Sequence, residues 1–345
     1  MKKLSIVLLI CILSLTFCFS GTVYAQEDEE LPAPGITPDS PFYFADRWAE
    51  QLSLMFTFGK EARVQKALQY AEERLAEMDA MLARNKVRAT TEAADGYNNC
   101  LAIATQAMER AREKGINTSE VVALAASKHV EVLDDSIAGA PENAQSILIQ
   151  ARERARTCQE TALCSLAQGD PEEAIRLNLR LMQQQLNRTR VCAEENETIR
   201  LQEELKEFER LGNLGEEISQ IARGLGNDTT VDQLIGQATA YHLMVLAEVH
   251  ERVQGQAQQA VEDAMQACVE NHERVVAALK EKNMLGQIPE EPPIPDEILW
   301  KIRQHGSSGG LQNFDQFKNP PLIRLSNFRS YVFFDFGQHC LNFLA

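Results

Sequence analysis

From about residue 60 to residue 284 the apolar residues of this chain return every three or four positions, in long runs. Val64, Leu68, Ala71, Leu75, Met78 and Leu82 make the first run, and Thr90, Ala94, Tyr97, Leu101, Ala104, Met108 and Ala111 the second. Val122, Ala126, His129, Leu133 and Ile137 make a third, then Ala144, Leu148, Ala151, Ala155, Cys158, Ala162 and Ser165 a fourth. Steps of three and four place each set on one face of a helix. Such faces pack against one another at shallow angles, and the many alanines imply close approach. Each run carries its own punctuation. Asn85-Lys86, Gly115 and Gly139 are stops, Asn117 to Ser119 a cap, and Pro141 a start. Gly169-Asp170-Pro171 supplies stop, cap and restart in three residues. The hydrophobic fraction is 44% but the aromatic fraction only 6%, which is a helical composition rather than a disordered one.

The series then repeats. A shift of 113 residues lays His129 on His242, Ala144-Gln145 on Ala257-Gln258 and Ala151 on Ala264. It also brings the Gly115–Ser119 loop to within one or two residues of Gly226–Thr230. Four further helices are expected at 172–196, 197–223, 231–253 and 256–284. The expected fold is all-α: two tandem four-helix units, an internal duplication, preceded by a short docking helix. The units span 34–169 and 170–285. A proline-rich linker, 286–300 (GQIPEEPPIP at its start), leads to an aromatic tail at 301–345 that is non-helical or disordered. The last 32 residues hold seven of the fourteen phenylalanines, which leaves a small β-like attachment, a loose tail or foreign coding sequence as alternatives.

Residues 1–25 read as a signal peptide. Lys2 and Lys3 precede an apolar core, Leu4 to Phe19, and Val23-Tyr24-Ala25 offers a cleavage site. Cleaved export, to the periplasm, cell surface or medium, is the expectation, with no membrane span remaining. An acidic lead, 26–33, follows. Removing the signal moves the net charge from −16 to −18, and such a surface repels phosphate backbones and anionic membranes. Nucleic acid is therefore excluded as a partner.

The next stretch, PGITPDSPFYFADRWAEQLSLMFTFGKEA, packs three prolines and six aromatics into 34–62. Ser40 is placed to cap a helix and Pro41 to open it, with Phe44, Trp48, Leu52 and Met55 on one apolar face that docks inward. Gly59 is expected as a left-handed stop. The run Pro34 to Phe44, Phe56 to Phe58 and Ala71 to Glu77 (AEERLAE) resembles the start of exported prokaryotic proteins grouped as domain of unknown function 5667, and ASKHVEVLDD (126–135) resembles a later segment of that group. The resemblance covers about 34–160. It implies class and compartment, not chemistry.

Catalytic patterns are mostly missing. Gly306-Ser307-Ser308-Gly309-Gly310 fits G-x-S-x-G but lacks the strand and helix of a nucleophile elbow, so it reads as a loop. HERV occurs at 250 and at 272, each without the second histidine of a zinc helix. Six cysteines follow the signal (100, 158, 164, 192, 268 and 340); bridges and buried thiols both remain open. Asn117, Asn187, Asn196 and Asn227 sit in N-x-S/T sequons. His129 and His242, at matching places on apolar stripes, are core histidines or, alternatively, metal ligands. The expected function is a non-catalytic, exported protein that binds other proteins or envelope components and needs no cofactor. The alternative is a periplasmic metal-binding or stress-sensing bundle using His129 and His242.

Overall fold

A computed structural model of the protein describes residues 31–309. The export segment, most of the acidic lead, Cys340 and the tail from 310 onward lie outside them. The described chain forms ten helices and, among these residues, no strand. They are α1 (Tyr43–Met55), α2 (Lys60–Ala83), α3 (Val87–Arg112), α4 (Ser119–Gly139), α5 (Glu142–Ala167), α6 (Pro171–Glu195), α7 (Thr198–Gly224), α8 (Asp228–Arg252), α9 (Gln256–Glu281) and α10 (Asp296–Gly309). The four helices expected in the second half are present, their ends within a few residues of those read from the pattern.

The chain divides into two compact units within α5, at Ala162–Leu163, ahead of the Gly169-Asp170-Pro171 junction where the sequence reading divides it. In the first unit α2 lies along α3, α4 touches both, and α1 rests on α2. The first part of α5 bonds back to both neighbours: the Thr105 hydroxyl lies 3.3 Å from the Cys158 sulfur, and Arg152 donates to Asp134 at 2.7 Å. Alanines 67, 71, 93, 104, 111, 126 and 151 are fully buried, so the helices approach closely. In the second unit α6 lies along α7 and α8 along α9, with α10 on α9.

The punctuation explains the repeat. α2 and α6 both end on an asparagine with positive φ, Asn85 (54°) and Asn196 (60°). α3 and α7 are each followed by a left-handed glycine, Gly115 (75°) and Gly226 (78°). In these turns an amide beyond the left-handed residue bonds back to the last helical turn, Lys86 to Met81 and Glu197 to Cys192, both at 2.9 Å. These loop pairs lie 111 residues apart, whereas His129 and His242 lie 113 apart. The two extra residues of the second copy therefore enter between the loop that precedes the third helix of the unit, at Gly115 and Gly226, and the histidine inside that helix.

Asp170 caps α6 as expected: its side chain accepts from the Glu173 amide at 3.0 Å, with Pro171 at the first helical position. Asp170→Ala should cost about 1 kcal/mol, the usual worth of such a cap. Urea unfolding checks it; a change near zero would show the cap to be replaceable by water.

Three expectations are corrected. α1 starts at Tyr43, not at Pro41, because Ser40 closes a turn instead; its carbonyl accepts from Tyr43 and its hydroxyl from the Phe42 amide. Gly59 does adopt positive φ (101°), but with ψ at 139° it is the N-cap of α2 rather than a left-handed stop. The linker ends at Pro295, since Asp296–Gly309 is helical; Gly306 to Gly309 thus end a helix and do not form a loop.

Candidate functional site

The opening helix is turned over relative to the sequence reading. At 100° per residue, Tyr43, Asp46, Arg47, Glu50 and Leu54 share one side of α1, and this is the side that meets the bundle. Tyr43, Glu50 and Leu54 are buried. All three charged residues of α1 lie on that inner arc. The outer arc carries Phe42, Phe44, Ala45, Trp48, Ala49, Met55 and the following Phe56, with no charge among them. Phe44 is 75% exposed, Trp48 66% and Met55 71%. The expected docking face of Phe44, Trp48 and Met55 is therefore wrong. It points to solvent, because a set of polar contacts captures the other face.

Arg74 of α2 is the centre of that capture. Its guanidinium is 1% exposed. It lies 2.7 Å from Glu50 of α1 and 2.8 Å from Glu77 of its own helix. It also donates to the Tyr43 hydroxyl at 3.1 Å, and that hydroxyl donates to Glu77 at 3.1 Å. The guanidinium sits 5.5 Å from the centre of the Tyr43 ring, within cation–π range. Arg47 closes the set by holding the other oxygen of Glu50 at 3.0 Å. Room for both arginines comes from Gly96 of α3: a methyl group there would lie 3.0 Å from Arg74 Cδ and 3.2 Å from Arg47 Nη2. Burial pushes the Glu77 carboxyl up to about 7, although Arg74 and the Tyr43 hydroxyl pull it down. Burial also raises Glu50, against Arg74 and Arg47.

The two histidines take similar places, each inside its own unit. His129 is fully buried, with Nδ1 3.2 Å from the Tyr97 hydroxyl and the two rings 5.5 Å apart. His242 stands edge-on to Phe208 at 5.4 Å. Each keeps one buried ring nitrogen without a hydrogen-bond partner, Nε2 of His129 and Nδ1 of His242. Desolvation pushes His129 down to about 3 and His242 down to about 4, so both are neutral at pH 7. Among the described residues no group of three or more His, Cys, Asp or Glu is placed to hold a metal ion.

A second polar knot ties α10 down. Glu262 of α9 accepts from Lys301 at 2.6 Å and lies 2.8 Å from His250 Nε2. Burial would raise its carboxyl, but the bonds from Lys301 and His250 hold it below the usual range. Cys100, Cys158, Cys192 and Cys268 are buried free thiols, and burial pushes Cys100 up to about 11 and Cys268 up to about 12. Burial raises Cys158 and Cys192 as well, and these four are poor nucleophiles, since the thiolate is the reactive form. Among the described residues no helix is long and apolar enough to cross a membrane.

No curated protein matches the chain. A solved structure described as "Circular tandem repeat protein with novel repeat topology and enhanced subunit contact surfaces" aligns at 14% identity and a TM-score of 0.49, covering 69% of this chain and 53% of that one. The chain thus spans about half the length of that protein. Residues 35–143 match the model of a family described as Domain of unknown function (DUF5667), a stretch that contains α1 to α4, the Arg74 cluster and the outward aromatic arc. The family named by the resemblance is thus the one whose model matches, over residues 35–143.

Proposed function

We propose that this chain is an exported, non-catalytic helical protein whose work is binding, and that its partners, proteins or envelope components, are held on outward apolar helix faces, α1 foremost. One observation carries the reading. A helix has turned all its charges inward and left Phe44, Trp48 and Met55 in water, at the cost of burying Arg74, Glu50 and Glu77. A fold that needed only stability would do the reverse, because buried ion pairs contribute little net stability. The buried groups are in keeping with this: Arg74 pairs with Glu50 and Glu77, and burial keeps His129 and His242 neutral. A photo-crosslinking residue at position 48 in the producing cells should give a discrete adduct. The same group at Gln65, exposed on α2, should not. Equal labelling at both positions, or none at 48, would contradict the reading.

The metal reading rests on the unpartnered ring nitrogens of His129 and His242. With no third ligand beside either, zinc, copper or nickel should leave the melting temperature unchanged. A metal that binds only the native state at a hundred times its Kd would add about 2.7 kcal/mol, and a gain of that size lost in His129→Gln would revive the sensor.

A further inference from the structure

We infer that the outward face of α1 is the docking site for a second copy of this chain, in a two-fold symmetric pair. This rests on the binding reading above and names its partner. On this face Phe42, Phe44, Trp48, Met55 and Phe56 are 68%, 75%, 66%, 71% and 68% exposed. A large side chain of this kind covers about 150–250 Å², so together they leave on the order of 700 Å² of apolar surface in water. The largest apolar patch on a typical monomer is about 300–600 Å². Each partner in a stable interface of standard size contributes ~800 Å². The face is therefore too large to be incidental and large enough, paired with itself, for a dimer.

Charge selects the occupant. The chain carries a net −16, so two copies repel one another over most of their surfaces. The outer arc of α1 bears no charged residue from Pro41 to Phe56; Asp46, Arg47 and Glu50 are all on the inner arc. A two-fold axis sets a face against itself, and an uncharged arc meets that condition without opposing acid to acid. Tyr43, Arg74 and Glu77 then have a clear purpose. They fix α1 on the bundle by its polar side, so the aromatic side is presented already folded and little ordering is required on association. An anionic membrane is a poorer match, because 50 acidic residues face it against 34 basic ones.

Sedimentation equilibrium of the full chain over a dilution series tests the proposal, with Trp48→Asp and Phe44→Asp beside it. Both positions are exposed, so the variants should keep their helicity and melting temperature in dilute solution. The wild-type chain should be a dimer that dissociates on dilution, and each variant should weaken it roughly thirtyfold or more, as loss of a central aromatic does. A dimer that survives both substitutions would mean that the copies meet elsewhere, and the inference fails. A monomeric wild-type chain also overturns it. In that case an adduct from position 48 to a different protein would keep the binding reading alone, and no adduct at all would end both.

Discussion

Arg74→Met is expected to destabilise the first unit by about 3–5 kcal/mol, the cost of stripping one partner from a buried ion pair. The substitution keeps most of the volume of the side chain, so cavity formation is a minor part of the effect. What remains is Glu50, 8% exposed and held by Arg47, and Glu77, fully buried with the Tyr43 hydroxyl as its donor. Against a total stability of roughly 5–15 kcal/mol for a domain, the loss is severe, and urea unfolding should show it directly. Removing the second charge as well should restore part of it: in Arg74→Met/Glu77→Gln the carboxylate becomes a neutral amide that still accepts from Tyr43. If Arg74→Met cost less than about 1 kcal/mol, the cluster would be solvated and α1 would be held by something else.

Lowering the pH from 7 to 5 should weaken the second unit by on the order of 2 kcal/mol, most of it through His242. Its folded pKa of about 4 lies below the ordinary value of 6.5. A depressed histidine contributes stability that is complete above the unfolded pKa and is lost as the pH falls through 6.5 toward the folded value. At pH 5 the unfolded chain takes up a proton that the buried ring, packed against Phe208, still refuses. His272 shifts in the same direction, lowered by burial. In the first unit His129 has the same sign, but Glu77 opposes it. A raised carboxyl contributes stability below its unfolded pKa of 4.5 and loses it as the pH climbs through about 7. Acidification should therefore loosen α8 and α9 more than α3 and α4. Hydrogen exchange at the two pH values reads this helix by helix, and His242→Leu should remove the difference. Equal loosening in both units, or none, would contradict the assignment.

The helices were legible because their apolar residues keep step with the helical period and their loops carry Asn, Gly and Pro at the turns that need them. Asn85, Gly115 and Asp170 each do in the structure what their residue types allow. The orientation of α1 was not legible, for a physical reason. Tyr43, Arg47, Glu50 and Leu54 have helical spacing as regular as Phe44, Trp48 and Met55. Hydrophobicity alone favours burying the second set. The decision lies on another helix, in Arg74 and Glu77, which sit three apart on the buried side of α2 beside Ala71, Leu75 and Met78. Two charges inside an apolar stripe were the available signal that a charged partner docks there. The insertion in the repeat escaped because one shift, 113, was fitted to loops that obey 111.

The account stands or falls on where Trp48 points. With Trp300→Phe, Trp48 is the one remaining tryptophan, and its quenching by acrylamide can be followed as the chain is diluted. Outward placement of the aromatic arc on α1 predicts quenching in dilute, monomeric protein close to that of a free indole, and protection that grows with concentration as copies pair. A Trp48 shielded at every dilution would contradict it, because the aromatic face would then be packed against its own chain.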